Sequence, residues 1–306
     1  MKILGLDNGY NFTKTSERVR ICSTIQEGVD DINDVIQVTI ESTNKKYIVG
    51  EPNGKYIADA DKLKTQDNIE VLKITTLTAI GMSYPTEKFI EVNLVVGVPV
   101  GYYSKQRENF KELMEGLYET VHINKLGIYQ TIKVKNVIVY PQSAGLVFRY
   151  SKQLKNESSL VIDIGGGTWD ISQFNGLKLE EKATYKEGML VLYEKIAQYL
   201  NSTHYTNYKQ TEIYDLIKKG YFTIEGQKHS IREIKPIIKS HVAAAVNKLK
   251  RAFDTTNIDN IYLIGGGATE LEEELIDLLP GAKVEENAQY TNAECFELMG
   301  KLRFNK

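Results

Sequence analysis

Two stretches of the sequence share one pattern and decide the fold: Leu4-Gly5-Leu6-Asp7-Asn8-Gly9 and Leu160-Val161-Ile162-Asp163-Ile164-Gly165. Each is a short apolar run that ends in Asp-x-Gly, and the second continues into Gly166-Gly167-Thr168. The two aspartates are 156 residues apart, about half of the 306-residue chain. Two strand–turn units of one design at this spacing predict two similar halves with a cleft between them.

The rest of the chain predicts strands that alternate with helices. After each Asp-x-Gly turn, a run at 12–19 or 169–174 can return as the second strand of a hairpin. The further patterns are β-branched runs at 90–98, 134–140 and 261–264, and helical spacings at 105–118, 143–150, 188–200, 211–222, 231–253, 270–279 and 292–302. Interleaved strands and helices predict an α/β fold.

The length favours two domains, which we expect at 1–151 and 152–306. The stretch 152–159 is polar and reads as the link between them. Residues 26–72 are polar and interrupted, with a predicted turn at 44–46, so they are expected to form a small insertion subdomain.

The composition is that of a globular chain, with 42% hydrophobic and 25% charged residues. The formal net charge of −2 argues against direct binding of bare nucleic acid, which needs clustered Lys and Arg. Two cysteines, Cys22 and Cys295, predict neither a disulfide framework nor a zinc site. The first residues are too polar for a signal peptide, and no run approaches the roughly 18 apolar residues of a membrane span. We therefore expect a cytoplasmic protein.

The run Gly165-Gly166-Gly167-Thr168 removes three side chains just past a strand end. Backbone N–H groups can then converge on an anion, and glycine tolerates the positive φ that such a nest requires. A carboxylate beside this nest, from Asp163, repels a phosphate unless a cation lies between them, so the pattern indicates Mg²⁺ and phosphate. Asp7 offers the same arrangement from the other half, and together the two turns predict a nucleotide clamp. The alternative for either turn alone is a tight structural turn.

Two further segments complete the candidate site. A third glycine run, Gly265-Gly266-Gly267, follows a short strand and suits close approach to a sugar or base, although alone it can be a packing turn. Gln142 follows Pro141 at the end of the strand 134–140, where it can orient a water toward a γ-phosphate. The alternative there is a helix-capping turn. Phosphate motifs of other classes, such as G-x-x-x-x-G-K-[ST], G-x-G-x-x-G after a strand, and the protein-kinase set, are absent from the sequence.

In series, these segments resemble the actin superfamily of ATPases, which also includes sugar kinases and DnaK-type chaperones, and within it the ParM-type actins that segregate plasmids. Asp7 to Lys14 resembles the first phosphate loop, Pro141 to Gly145 the first connecting motif, Asp163 to Thr168 the second phosphate loop, and Ile264 to Ala268 the adenosine motif. Val95 to Tyr103 is also similar to the ParM group. At the second connecting motif, Glu294-Cys295-Phe296 departs from the small residues of the family.

The resemblance implies a duplicated, ribonuclease H-like two-domain fold with an interdomain nucleotide cleft. It also implies a second insertion at about 185–240 and a C-terminal helix, at about 292–304, that packs back on the first domain. Asp7 and Asp163 would hold Mg²⁺, and Gln142 would orient the attacking water. The other residues implied in nucleotide binding are Asn8, Gly9, Asn11, Lys14, Gly165, Gly166, Gly167, Thr168, Glu187, Asn247, Lys250, Gly265, Gly266 and Gly267. For Asn247 and Lys250, an exposed basic helix face is the alternative.

The function implied is an ATPase, with ATP or GTP as its nucleotide, that forms head-to-tail filaments and moves plasmid DNA through a separate DNA-bound adaptor protein. Two alternatives share the same clamp: a small-molecule kinase and a nucleotide-binding module that does not polymerise. A chaperone is disfavoured because the sequence leaves no room after the ATPase for a peptide-binding domain.

Overall fold

The computed structural model describes residues 1–304 apart from residues 58 and 60. None of the helices in these residues is both long and apolar enough to cross a membrane. Two large sheets organise the molecule, one from each half of the chain, and a short third hairpin belongs to the second half.

The first sheet has ten strands in the order β3-β2-β1-β8-β10-β9-β5-β6-β4-β7. They are β1 (Lys2–Asn8), β2 (Phe12–Thr15), β3 (Arg20–Cys22), β4 (Thr24–Glu27), β5 (Ile36–Ile40), β6 (Lys45–Val49), β7 (Lys55–Tyr56), β8 (Phe89–Val98), β9 (Tyr118–Ile123) and β10 (Ile128–Pro141). The predicted insertion 26–72 is therefore no separate sheet, because β5 pairs with β9 and joins its strands to the main sheet.

Helix α1 (Gln66–Ser83) fills the inside of this sheet. Thr65 caps its N-terminus by accepting a hydrogen bond from the Asn68 N–H. The helix contacts strands from both ends of the strand order, β2 and β3 at one end and β4 and β7 at the other, so the sheet curls around it. The stretch from Ile74 to Gly81 is buried on every side, which explains why its residues are apolar or small apart from three threonines. Helix α2 (Tyr103–Glu115) packs beside β10.

The second sheet has five strands in the order β13-β12-β11-β16-β17. The remaining elements are short helices α3 (Leu146–Arg149) and α4 (Ser151–Leu154), strands β11 (Ser158–Ile164), β12 (Trp169–Asn175) and β13 (Lys178–Tyr185), helices α5 (Met189–His204) and α6 (Gln210–Lys219), hairpin β14 (Tyr221–Ile224) and β15 (Gln227–Ser230), helix α7 (Lys235–Ala252), strand β16 (Asn260–Ile264), helices α8 (Gly266–Glu270) and α9 (Glu272–Leu278), strand β17 (Ala282–Val284) and helix α10 (Thr291–Phe304).

The halves exchange elements. Side chains of α3 and α4 form a buried cluster with Val161, Phe174 and Tyr262 of the second sheet. Conversely, α10 leaves the second half and lies on β1 and β8 of the first sheet. Its approach to β1 is so close that a Cβ on Gly5 would lie 1.8 Å from the Ala293 carbonyl oxygen. The chain thus crosses between the sheets twice, and both crossings lie next to the two Asp-x-Gly hairpins.

Candidate functional site

The two Asp-x-Gly stretches form β-hairpins of the same register. In the first, β1 pairs with β2 and Asp7 stands opposite Lys14. In the second, β11 pairs with β12 and Asp163 stands opposite Asp170. Opposite residues of an antiparallel pair share a face of the sheet, so each aspartate has a charged neighbour, of opposite sign in one hairpin and of like sign in the other.

The tips of the two hairpins touch each other. A Cβ on Gly166 would lie 2.7 Å from the Asn11 Cβ, and a Cβ on Gly167 would lie 2.6 Å from the Tyr10 ring. None of Gly165, Gly166 and Gly167 has a φ in the left-handed region, so the expectation that a positive φ requires these glycines is wrong. Gly166 and Gly167 are required because the opposite hairpin approaches their backbone closely, whereas a Cβ on Gly165 would meet only the Thr168 carbonyl oxygen of its own hairpin, at 3.3 Å.

The segment after β10 connects the two aspartates. The Gln142 side chain donates from Nε2 to the Asp7 Oδ1 over 2.7 Å. The next residue, Ser143, donates its N–H to the Asn292 Oδ1, and Asn292 in turn donates from Nδ2 to the Asp163 Oδ2 over 2.7 Å. One continuous set of hydrogen bonds therefore joins Asp7 and Asp163 through the first turn of α10.

The two aspartates differ in their electrostatics. Burial raises the pKa of Asp7, but Lys14, whose Nζ lies 2.7 Å from the carboxylate, acts together with Lys62 and the hydrogen bond from Gln142, and the net pKa is lowered. Asp163 has no such partner. Its burial, together with the negative charges of Asp7 and Asp170, raises its pKa to about 7. The repeated motif therefore presents one carboxylate whose pKa is lowered and one whose pKa is raised.

The third carboxylate, Asp170, was not predicted. It accepts hydrogen bonds from the hydroxyls of Thr168 and Thr184 and from the N–H of Val100 in the first half. Burial raises its pKa in spite of these bonds. Asp170 lies 156 residues after Lys14, so it occupies the equivalent position in the second hairpin. The sequence alone does not show which residues of a hairpin stand opposite each other, and Asp170 therefore could not be selected from it.

A buried lysine, Lys62, was also missed. Its side chain is 0% exposed, and its ammonium donates to the Asn8 carbonyl oxygen over 2.5 Å and lies 4.9 Å from the centre of the Tyr10 ring. Burial lowers its pKa to about 8, against the opposing attraction of Asp7 and Asp170. It comes from the polar stretch that was predicted only as an insertion, where one lysine among many carries no distinguishing signal.

The third glycine run forms the other wall of the cavity. Gly265 has φ +86° and lies against Asp163, where a Cβ would come within 2.4 Å of the Oδ1. Gly266 starts α8, so the predicted loop is largely the first turn of a helix. Above it, the hydroxyl of Tyr193 donates to Glu270 over 2.8 Å.

Eleven of the residues implicated by the sequence line one cavity between the hairpins. They are Asp7, Gly9, Asn11, Lys14, Gln142, Asp163, Gly165, Gly166, Thr168, Gly266 and Gly267. The cavity also has lining residues that the sequence did not single out, namely Tyr10, Phe12, Ile164, Met189, Tyr193, Glu270 and Gln289.

Six implicated residues are outside this lining. Asn8 turns toward α1 and donates to the Thr76 hydroxyl, and Gly167 and Gly265 lie behind the hairpin tip and the Asp163 carboxylate. The structure does not bring Asn247, Lys250 or Glu187 into the cavity. Lys250 donates to the Leu278 carbonyl at the end of α9, and Asn247 is on the same exposed side of α7. Glu187 pairs with Lys248 at 3.7 Å.

The donor set fits a hard divalent cation of the magnesium type. Asp7 and Asp163 supply buried carboxylate oxygens. Burial is the main cause of the raised pKa of Asp163, and the negative charges of Asp7 and Asp170, which a cation would neutralise, add to it. Among the described residues, no group of three or more His, Cys, Asp or Glu side chains forms a metal cage. Such a site matches Mg²⁺, which is usually held by one or two carboxylates and keeps water and phosphate oxygens as its other ligands.

Two sheets with Asp-x-Gly hairpins that meet at one cavity, and a C-terminal helix exchanged between the halves, define the actin-like fold. A family model described as the N-terminal domain of actin-like proteins matches residues 5–145, and one described as the C-terminal domain of the archaeal MreB-like actin homologue matches residues 161–277. The chain belongs to the actin-like proteins.

Solved structures agree with this assignment over the whole chain. A 15-stranded ParM filament from Clostridium botulinum is 19% identical, with a TM-score of 0.83 over 99% of this chain and 100% of that one. A non-polymerisable ParM quadruple mutant is 22% identical, with a TM-score of 0.81 over 98% and 99%. An archaeal actin homologue in complex with ADP is 16% identical, with a TM-score of 0.79 over 99% and 100%. The predicted actin-like α/β fold is confirmed.

Proposed function

We propose that this protein is a nucleotide-dependent, filament-forming ATPase that segregates plasmid DNA through an adaptor protein. The observation that carries the proposal is the meeting of two aspartate hairpins, one from each half, at a single cavity that also contains Gln142. The ADP complex of the archaeal homologue and the ParM filament support nucleotide binding and self-association in a chain of this fold.

In this proposal the residues of the cavity have different roles. Asp7 and Asp163 would hold Mg²⁺, which when bound neutralises phosphate oxygens. The Lys14 ammonium, now paired with Asp7, would bind phosphate oxygens, and the N–H groups of the hairpin turns would add hydrogen bonds. Gln142 uses its amide nitrogen on Asp7, which leaves its amide oxygen to accept a hydrogen bond from the attacking water.

Polymerisation would follow from closure of the two halves on the nucleotide. A triphosphate that contacts both hairpins favours the closed arrangement, and loss of the γ-phosphate contacts favours relaxation. If only the closed arrangement presents complementary ends, subunits add head-to-tail with nucleotide and leave after hydrolysis. ATP or GTP would serve, and the adaptor would make the DNA contact.

Light scattering with phosphate release tests the proposal. We expect scattering to rise when ATP and Mg²⁺ are added and to decay as phosphate is released, and the polymer to sediment only with nucleotide. Phosphate release without any rise in scattering at high protein concentration would contradict the filament and favour a small-molecule kinase or a binding module.

An Asp163→Ala variant tests the site itself. It removes a carboxylate from the proposed metal site, so we expect phosphate release to fall at least about 100-fold. Glu180→Ala, at an exposed position of β13, is the matched control and should retain the wild-type rate. An unchanged rate in Asp163→Ala would show that hydrolysis takes place elsewhere.

A further inference from the structure

The outer face of the first sheet carries exposed aromatic side chains on three adjacent strands. Tyr129 of β10 stands opposite His122 of β9, with ring centres 4.9 Å apart, and Lys133 stands opposite Tyr118. On the other side of β10, Phe89 of β8 stands opposite Thr131. Because residues two apart share a face, these side chains all point the same way. We call Phe89, Tyr118, His122 and Tyr129 the outer aromatic face.

This face is uncovered in the described chain. Phe89 is 56% exposed, Tyr118 66% and Tyr129 59%, whereas Ile90 and Ile132 on the inner face are fully buried. Aromatic rings bury large apolar areas when covered, so leaving three of them in water on one face forgoes that stabilisation.

Helix α10 covers the same face farther along the same strand, β8. A Cβ on Gly97 would meet the Phe296 ring at 2.5 Å, and a Cβ on Gly300 would lie 2.8 Å from Val95. Gly97, Val95 and Phe89 alternate along β8, so all three are on the outer side. The described part of α10 ends at Phe304, and the sheet beyond it continues without a covering helix. The outer aromatic face is thus the uncovered continuation of a surface that elsewhere packs against a helix.

Beside the face, two lysines are paired with a single glutamate, which leaves one positive charge in excess. Lys133 and Lys135 share one carboxylate, Glu91, at 3.2 Å and 3.5 Å. A partner with an apolar residue among acidic ones would therefore match both the rings and the lysines.

This chain contains such a surface on α9. Its exposed side carries Glu272, Glu273, Ile276 and Asp277, with Ile276 40% exposed at the centre of the acidic positions. In the described part of the chain, the helix packs on α7 and β17 of the second half. It cannot cover that face of its own chain without leaving its place in the second half.

We propose that the outer aromatic face binds α9 of a second copy of this chain. The inference rests on the proposed filament, for which it names one interface. The two surfaces differ and lie in different halves, so the contact is heterologous and repeats from copy to copy without closing. Ile276 sits among the three rings, and Lys133 and Lys135 face the acidic residues of α9.

Cross-linking between single-cysteine variants tests the contact. Tyr129→Cys protein with a size tag is mixed with untagged Ile276→Cys protein, with nucleotide and Mg²⁺, and treated with a short bismaleimide. Wild type gives the background from Cys22 and Cys295, and Leu177→Cys, in the exposed β12–β13 turn, is the reference position. We expect a tagged–untagged dimer from the Tyr129→Cys and Ile276→Cys pair, at least about tenfold above both controls.

Other cross-linked products would overturn the interface. Ile32→Cys is included because Ile32 is 94% exposed in an acidic loop, which is another surface with an apolar residue among acidic ones. A dimer with Ile32→Cys in place of Ile276→Cys, or dimers of Tyr129→Cys with itself only, or no product, would each contradict the proposal.

A second experiment tests the contribution of the aromatic rings to polymerisation by removing two of them. The double variant Tyr118→Ser/Tyr129→Ser is expected to raise the critical concentration for polymerisation about tenfold, as loss of central aromatic contacts does at interfaces. Its phosphate release at low protein concentration should be unchanged, since neither ring lines the cavity. An unchanged critical concentration would contradict this interface while leaving the filament standing. Wild type that never scatters light would contradict the proposed function instead, and cross-linking still decides the contact.

Discussion

At the scale of residues, one difference between the repeated hairpins sets their chemistry. Asp7 stands opposite Lys14 and has a lowered pKa, whereas Asp163 stands opposite Asp170 and has a raised one. The sequence predicted both aspartates because each ends a short apolar run. It did not predict their difference, because the pKa values depend on which residues the hairpin register places opposite them.

The raised pKa of Asp163 predicts a pH dependence of stability in the nucleotide-free protein. The pKa is 3.8 in the unfolded chain and about 7 in the folded one, so between these values the folded state binds more protons. The contribution of Asp163 to stability is therefore present below pH 4 and lost as the pH rises through 7, by about 1.4 kcal/mol per unit of pKa difference. An Asp163→Asn variant has no ionisable group at this position, so its free energy of unfolding does not fall in this way as the pH rises.

Urea unfolding at pH 5 and pH 7.5 measures this pH-dependent change in the free energy of unfolding. Relative to wild type, Asp163→Asn should be more stable at pH 7.5 than at pH 5, while Glu180→Gln, at an exposed site, should show no such change. Equal differences between variant and wild type at both pH values would contradict the assignment.

Gln142 gives a second test at this scale. Gln142→Ala removes the amide that would orient water but no charge, so we expect phosphate release to fall about 100-fold with nucleotide affinity nearly unchanged. Single-turnover phosphate release and equilibrium nucleotide binding separate the two effects. Gln153→Ala, on the exposed side of α4, is the control. A loss of binding that matches the loss of rate would mean that Gln142 holds the nucleotide rather than the water.

At the scale of elements, the hairpin strands, the central strands and the amphipathic helices were predictable, whereas the buried helix α1 and the strands β9, β13, β14, β15 and β17 were not predicted. The predicted face of α5, with Met189, Leu192, Ile196 and Leu200, is buried in the structure. Helix α1 was missed because its middle, Ile74 to Thr78, is rich in β-branched residues and all five residues are buried, so it has no exposed polar side. Such a helix lacks the helical spacing of apolar residues because the surrounding sheet buries it on every side. That burial cannot be seen in the sequence of the helix alone. Residue 118, predicted within a helix, begins β9, because α2 ends at Glu115 before Gly116.

The packing of α10 on β1 predicts a sharp response to a single methyl group. Gly5→Ala would place a Cβ 1.8 Å from the Ala293 carbonyl oxygen, a backbone clash that cannot be relieved by a rotamer change. We expect it to lower the free energy of unfolding by more than about 3 kcal/mol. Gly116→Ala, whose Cβ would lie 3.6 Å from the Glu112 oxygen, should change it by less than about 0.5 kcal/mol. Denaturant unfolding compares them, and similar losses would contradict this packing.

At the scale of the whole molecule, the duplication predicted two halves and a cavity between them, but not how the halves are joined. Gly166 and Gly167 meet Asn11 and Tyr10, and Val100 of the first half donates its N–H to Asp170 of the second. The positions of α10 on the first sheet and of α3 on the second follow from tertiary packing that no local pattern encodes. Residue spacing and the resemblance to the actin superfamily together could therefore identify most of the cavity lining, while Lys62 and Asp170 required the assembled molecule.

Because ligands that contact both halves stabilise the whole fold, Mg–ATP should raise the melting temperature. At about 100 times its dissociation constant the stabilisation is about 2.7 kcal/mol, which is about 5 °C for a chain of this size. Differential scanning fluorimetry measures the shift, and Asp7→Ala should reduce it strongly while Glu180→Ala should not. If the melting temperature of Asp7→Ala rose as much as that of wild type, the first hairpin would not be part of the nucleotide site.

The most direct measurement is a crystal or electron cryomicroscopy structure with Mg²⁺ and a non-hydrolysable triphosphate analogue. We predict that its phosphates lie between the two hairpin turns, with Asp7 and Asp163 on either side of the metal and Gln142 beside the γ-phosphate. A triphosphate bound away from this cavity, or in contact with one hairpin only, would contradict the account.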